Sequence, residues 1–109
     1  MYKQADGTYV VNTTSLCSNV KGFKGATPVE VYIKNNKVIK VEALPNREGP
    51  KFYDKVKQGL FPKFNGMKLS KAAKAESPDG VTGATYTSRA VKENIAAAVA
   101  YYKKNKLEL

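Results

Sequence analysis

The chain has no histidine and a single cysteine, Cys17, among its 109 residues. Without histidine, neither serine–histidine nor cysteine–histidine catalysis is available, and the common zinc sites are excluded as well. One cysteine cannot form an intramolecular disulfide, a paired-cysteine redox motif or a haem attachment site. We therefore expect Cys17 to be a small packed side chain and any redox chemistry to come from an organic cofactor.

Long apolar runs are absent too. The longest, residues 96 to 102, is too short to span a bilayer and consists largely of alanine. The first three residues are not followed by the apolar stretch of a secretion signal. We therefore expect the chain as given to be soluble, with any export signal or membrane anchor missing from this sequence.

Acidic residues are few, since 19 basic residues stand against 9 acidic ones and the formal charge is +10. Nearly all the basic residues are lysines, spread from Lys3 to Lys106 rather than collected on one arm or helix face. A solvated lysine-rich surface explains this spread, because net charge governs solubility and association rather than fold. A module that binds polyanions or a membrane surface is the alternative. With no basic stripe of interleaved aromatics and no nucleic-acid-binding module, we expect no nucleic-acid partner.

The length and the 42% hydrophobic content predict one domain, residues 1–109, with one modest core. Thr8 to Thr14 is rich in threonine, valine and tyrosine, which favours a strand. Val29 to Ile33 alternates apolar and polar residues, and Val38 to Leu44 resumes the extended pattern. The two asparagines between them tolerate positive φ, so the sequence predicts a hairpin.

A helix is predicted after this hairpin, with Pro50 in its first turn and Gly59 and Pro62 at its end. Its expected apolar face consists of Phe52, Val56 and Leu60. The following residues, 63 to 78, are weakly patterned, and we expect their apolar side chains at positions 64, 67 and 69 to be packed.

The last predicted element is an amphipathic helix. Thr87 or Ser88 is placed to cap its N-terminus. Strands followed by helices, without alternation, predict an α+β fold: a largely antiparallel twisted sheet, a short central helix and a C-terminal amphipathic helix. The apolar stripe of the last helix comprises Val91, Ile95, Ala98, Val99 and Tyr102.

The segment Asp79 to Ser88 lies directly before that helix and contains two glycines, three threonines and a serine. Free N–H groups and a partial positive charge at a helix start suit an anion such as a phosphate, and Gly83 with Ala84 lets a bulky group approach. A plain loop with a hydroxyl cap is the other interpretation. The spacing of a Walker loop and that of a GxGxxG turn are both missing.

The same segment closely resembles the flavinylation motif of the FMN-binding domain family, which includes the G subunit of Rnf complexes and the C subunit of the sodium-translocating NADH:quinone oxidoreductase. The likeness also covers Gly22-Phe23, the helix after Glu48 and Phe64-Asn65-Gly66, and so most of residues 6 to 104. The matching motif residues are Asp79, Thr82, Gly83, Ala84, Thr85, Tyr86, Thr87 and Ser88.

This resemblance implies that a flavin transferase uses FAD and magnesium to place FMN, as a phosphoester, on the hydroxyl of Thr85. It further implies that the transferase recognises the motif, and that Thr87 or Ser88 shapes the helix start around the phosphate. The residues implied in recognition are Asp79, Thr82, Gly83 and Ala84.

A further flavin contact is implied in the loop before the central helix, at Glu48 and Gly49. Many family members have Glu-Thr-Pro-Gly there, whereas this chain has Glu48-Gly49-Pro50-Lys51 and lacks the threonine hydroxyl. The departure removes the hydroxyl through which this loop would form a hydrogen bond to the flavin.

The family also implies a role. It predicts an electron carrier rather than a stand-alone catalyst. Its expected location is outside the cytoplasm, in the periplasm or on the outer face of a bacterial membrane, with redox proteins or a membrane electron-transport complex as partners. No catalytic residue and no resident metal are expected. A relative that binds FMN without the covalent bond, or that is not flavinylated, is the alternative.

Overall fold

The computed structural model describes residues 1–16, 27–45, 50–72 and 85–105. Within helices, the side chains of residues 50–52, 55, 56 and 85–88 lie outside this description. None of the helices in these ranges is long and apolar enough to cross a membrane.

The described residues contain four antiparallel strands, which form one sheet in the order of the sequence. They are β1 (Tyr2–Lys3), β2 (Tyr9–Asn12), β3 (Val29–Lys34) and β4 (Lys37–Ala43). The predicted strand and hairpin are confirmed, and only the two-residue β1 was not predicted. Asn35 and Asn36 form the hairpin turn with φ values of 54° and 61°, in the left-handed region that asparagine tolerates.

In the described ranges, three α-helices and one 3₁₀ helix follow or cover the sheet. Helix α1 begins at the predicted proline, which lacks the N–H that a helix start leaves unpaired. The weak pattern after it had not predicted the 3₁₀ helix or α2, both of which are only four residues long. The bounds are α1 (Pro50–Gly59), the 3₁₀ helix (Phe61–Phe64), α2 (Leu69–Ala72) and α3 (Thr85–Asn105). The predicted α+β class is therefore confirmed.

The core lies between one face of the sheet and the helices. Leu60, Phe64 and Leu69 are buried in it, as predicted, and Met67 packs partly buried against it. Phe52 and Val56, predicted to share the face of Leu60, have side chains outside the described part of the structure. Tyr53 is also in the core, where its ring meets that of Phe61 edge-on at 6.1 Å.

Helix α3 supplies the largest part of the core from the helical side. All five residues of its predicted apolar stripe are at most 6% exposed, which confirms the amphipathic helix. The predicted cap is wrong, because α3 already begins at Thr85, so that Thr87 and Ser88 belong to its first turn. The first four residues of α3 are hydroxyl-bearing or aromatic and include neither glycine nor proline, so their types did not indicate where the helix begins.

Candidate functional site

The direction of α3 across the sheet is fixed by two contacts with β2. Near the C-terminal end of α3, the ring of Tyr102 meets that of Tyr9 edge-on at 5.0 Å. Further towards its N-terminal end, Asn94 Oδ1 accepts a hydrogen bond of 2.5 Å from the hydroxyl of Thr13, just after β2. The two contacts are about 12 Å apart along the helix and about 13 Å apart along the strand. Helix α3 therefore runs antiparallel to β2.

This direction places the start of α3 beyond one end of the sheet. Thr85 lies about 13 Å before Asn94 along the helix axis, on the far side of the end of β2. At this same end β3 begins and β4 ends, since Val29 pairs with Ala43 and Asn12 pairs with Glu30. We call this end of the sheet the α3-start edge.

Most of the residues predicted to hold a cofactor lie outside the described ranges. The structure places the backbone of Thr85, Thr87 and Ser88 in the first turn of α3, at the α3-start edge. The remaining predicted residues cannot be placed relative to them because they are not described: Glu48, Gly49, Asp79, Thr82, Gly83 and Ala84.

A buried polar network joins α3 to this edge. The hydroxyl of Thr13 accepts a hydrogen bond of 2.9 Å from the N–H of Val29 and donates to Asn94. The side-chain amide of Asn94 in turn donates to the carbonyl of Ala90 at 2.8 Å. Thr13 and Asn94 are at most 1% exposed, so each bond replaces water that burial has removed. The network fixes the distance between the start of α3 and the sheet.

This network is only weakly indicated by the sequence. Asn94 lies three residues after Val91 and directly before Ile95, so it falls inside the apolar stripe of the helix. A polar residue in such a position indicates a buried hydrogen bond, because burial without a partner is costly. Its partner Thr13 is far away in the sequence and could not be identified from spacing.

Thr27 provides a second buried polar group at the α3-start edge. Its side chain is fully buried, and its hydroxyl has no hydrogen-bond partner within the described ranges. Side chains two residues apart lie on the same face of a strand, so Thr27 is on the buried face together with Val29 and Val31 of β3. The next residue, Pro28, accepts a hydrogen bond of 3.1 Å from the N–H of Leu44, which extends the ladder towards Thr27. An unpaired buried hydroxyl costs about 1–3 kcal/mol and suits a polar group of a ligand.

The electrostatics of the helix start also fit an anion. Helix α3 has 21 residues, and its aligned peptide dipoles give about half a positive charge at Thr85. The first turn contains no acidic side chain that would compete for this charge. The only charged residue among the first five positions of the helix is Arg89, which is exposed and positive. A phosphate group would therefore be stabilised at this position.

A groove of about 450 Å³ lies between β4 and the segment after α1, and it reaches the α3-start edge at Ala43. Its apolar wall includes Val41 and Phe61, and Lys40 pairs with Glu42 on its rim at 3.0 Å. The hydrogen bond from Lys40 lowers the pKa of Glu42 below its usual value. The charges at the rim thus satisfy each other. In the described part of the chain, no group of three or more acidic or cysteine side chains could hold a metal ion.

Comparison with known proteins bears on the same region. No curated protein matches the chain. Residues 22–100 match the sequence model of the family described as FMN-binding domain, a range that includes β3, β4 and the start of α3. Because the match covers well over half of the chain, the protein belongs to the FMN-binding domain family.

Proposed function

We propose that this FMN-binding domain carries its flavin covalently, as a phosphoester on the hydroxyl of Thr85, and that it transfers electrons between partner proteins. The observation that carries the proposal is the position of Thr85 as the first residue of the 21-residue helix α3. A phosphate bonded there lies at the positive end of the helix dipole.

The motif around Thr85 supports the covalent bond. Its residues resemble those that flavin transferases recognise, and Thr85 occupies the acceptor position. In the attachment step the Thr85 oxygen bonds to the phosphorus of the FMN half of FAD, and the bond between the two phosphates breaks. AMP leaves with the bridging oxygen, and the transferase removes the hydroxyl proton. The step is a phosphoryl-type group transfer without net oxidation or reduction.

The α3-start edge would hold the attached group through residues of this chain. The peptide N–H groups in the first turn of α3 would bind the phosphate, and Thr27 would offer its buried hydroxyl to a polar group of the cofactor. The Thr13–Asn94 bond keeps the helix start at a fixed position over the sheet. When bound, the flavin supplies one- and two-electron redox chemistry.

A covalent link has a physical advantage for a redox domain outside the cytoplasm. A short tether holds a ligand at an effective concentration on the order of millimolar, so the site does not depend on free flavin. For this reason, and from the resemblance to the membrane electron-transport subunits, we propose an extracytoplasmic location on the outer face of a bacterial membrane. The proposed partners are the flavin transferase and redox proteins, and the proposed role is that of a carrier, not a stand-alone catalyst.

Intact mass tests the covalent bond. The protein is co-expressed with a flavin transferase, and its mass is measured after denaturation for the unaltered chain, for Thr85→Ala and for Thr14→Ala. Thr14 is an exposed threonine two residues after β2 and serves as the matched control. We expect one FMN added to the unaltered chain and to Thr14→Ala, and none to Thr85→Ala.

An unchanged mass in the unaltered chain would defeat the covalent proposal. Free FMN is then titrated into that protein and followed by fluorescence. Saturable binding that denaturation reverses would show that the domain holds FMN without the bond.

A further inference from the structure

A second groove lies at the other end of the sheet, beside the turn of the β3–β4 hairpin. It has a volume of about 430 Å³ and contains three lysines from three separate parts of the chain. Lys37 belongs to β4, Lys68 directly precedes α2, and Lys103 lies in the last turn of α3. We call it the lysine groove.

The backbone holds two of these lysines close together. Lys37 and Lys68 form an antiparallel bridge, so their Cα atoms are about 4.5–5.5 Å apart. Backbone bonds on both sides of the bridge keep this geometry: Val38 N to Met67 O at 2.9 Å and Leu69 N to Asn36 O at 3.1 Å. Like charges directly opposite each other on paired strands destabilise a fold. The protein therefore maintains a repulsive pair at a fixed position.

No carboxylate lines this groove in the described part of the chain. The neighbouring Lys34, which pairs with Lys37 across the hairpin, has an acidic partner, since its Nζ is 3.9 Å from Asp6 Oδ2. For Lys37, Lys68 and Lys103, no ion pair is formed within the described ranges. Within the described ranges, the positive charge of the groove is thus not balanced by the residues around it.

Helix stability alone does not explain the arrangement. A lysine in the last turn of α3 favours the negative end of the helix dipole, and both Lys103 and Lys104 are placed for this. Lys37 and Lys68 belong to other elements, but the dipole acts through space and also reaches them, because they line the same groove as Lys103. The roughly half a negative charge at the end of α3 offsets only part of the three positive charges that meet in the groove.

We propose that the lysine groove binds a phosphate group of a ligand. Phosphate carries close to two negative charges at neutral pH and three acceptor oxygens, and lysine binds it as a point charge. Three ammonium groups therefore match the nearly two negative charges of a phosphate better than they match the one negative charge of a carboxylate. Asn35, Asn36 and Ser70 add neutral donors around the groove, and buried Leu69 lies beneath them.

This site is separate from the flavin site and does not rest on the proposed function. Lys103 lies about 27 Å from Thr85 along the axis of α3, at the opposite end of the helix. A ligand in the lysine groove would therefore leave the α3-start edge free. The phosphate could come from a soluble polyphosphate compound or from an anionic lipid headgroup.

The soluble source is tested with inorganic pyrophosphate by calorimetry. The double variant Lys37→Gln/Lys68→Gln is compared with the unaltered chain and with Lys63→Gln/Lys92→Gln, which removes the same charge outside the groove. We expect binding to weaken about three- to tenfold in the groove variant, as the loss of two solvent-exposed charge contacts predicts. The control should bind within twofold of the unaltered chain.

The lipid source is tested with vesicles of phosphatidic acid, whose headgroup is a phosphate monoester, in phosphatidylcholine, followed by co-sedimentation. If vesicle binding depends on the groove lysines while pyrophosphate binds weakly, the result supports a lipid headgroup as the ligand. Amide shifts of the unaltered chain on adding pyrophosphate provide a measurement that needs no variant, and we expect them at residues 35–37, 68–70 and 103. Equal losses in the groove and control variants in both assays, or shifts spread over all lysines, would overturn the proposal.

Discussion

Thr13, directly after β2, donates a hydrogen bond of 2.5 Å to the side-chain oxygen of Asn94 in α3, and both residues are buried. This bond connects the sheet to the helix whose first residue is the proposed flavin acceptor. Because the Thr13 hydroxyl also accepts from the N–H of Val29, one side chain joins β2, β3 and α3. The position of the helix start therefore depends on a polar contact as well as on apolar packing.

Replacing Thr13 by valine should destabilise the fold. The change leaves the Asn94 oxygen and the Val29 N–H buried without a partner, and we expect the free energy of unfolding to fall by about 1–3 kcal/mol. Urea denaturation of the flavin-free protein measures it. Thr14→Val, at an exposed neighbouring position, should change the value by less than about 0.5 kcal/mol. Equal stabilities for the two variants would show that the network contributes nothing.

In the flavin-free protein, Thr27→Val should raise the free energy of unfolding, whereas Thr13→Val lowers it. Valine has nearly the shape of threonine, and it removes a buried hydroxyl that has no partner in the described structure. We expect the free energy of unfolding to rise by about 1 kcal/mol. If the hydroxyl contacts the cofactor, this gain should shrink or reverse once flavin is attached. Thr27→Ser keeps the hydroxyl, so flavin attachment should change its free energy of unfolding by the same amount as that of the unaltered chain. An identical gain in both forms would argue against the contact.

The hairpin turn offers a stabilising change. Asn36 has a φ of 61°, which glycine adopts without strain, and asparagine followed by glycine is the preferred pair for such two-residue turns. We expect Asn36→Gly to be neutral or to raise the melting temperature slightly, by an amount that corresponds to less than about 1 kcal/mol. Asn36→Val should lower it, because a β-branched side chain is strained at positive φ. A scanning calorimetry comparison of the two variants decides the matter, and a higher melting temperature for valine would contradict the turn geometry.

Because of Tyr32, the free energy of unfolding should fall at alkaline pH. Burial first, and then the nearby Glu30 and Glu42 carboxylates, raise its pKa from 10.0 to about 12. Its hydroxyl donates to Glu42 at 3.2 Å, and only the neutral phenol can do so. A raised pKa in the folded state means that the contribution is complete below pH 10 and is lost as the pH rises towards 12.

The comparison with Tyr32→Phe isolates this contribution from the titration of the lysines. Unfolding free energies measured between pH 9 and about pH 12 should fall less steeply for phenylalanine than for the unaltered chain. Glu42→Gln should lower the pKa of Tyr32, which the ultraviolet absorbance of the phenolate reports. Parallel pH profiles for tyrosine and phenylalanine would refute the assignment.

The amino-acid sequence by itself determined the class of the fold and most of its elements. Alternation in β3, the two asparagines of the turn and the four- and three-residue spacing in α3 are local patterns, and each predicts a structure without knowledge of its neighbours. The same is true of the family, because the motif that ends at Ser88 is continuous in the chain. The sequence did not predict β1, the 3₁₀ helix or α2, because an element of two or four residues is too short to show a periodic pattern.

Only the tertiary structure decided which distant residues meet. The Thr13–Asn94 bond joins positions that no spacing rule connects, and the unpaired hydroxyl of Thr27 becomes visible only when its burial is known. The lysine groove has the same origin: its three charges come from three elements, and in the sequence they look like part of an even lysine spread. The physical reason is that packing and electrostatics depend on distance in space, whereas periodicity along the chain records only which face a residue occupies.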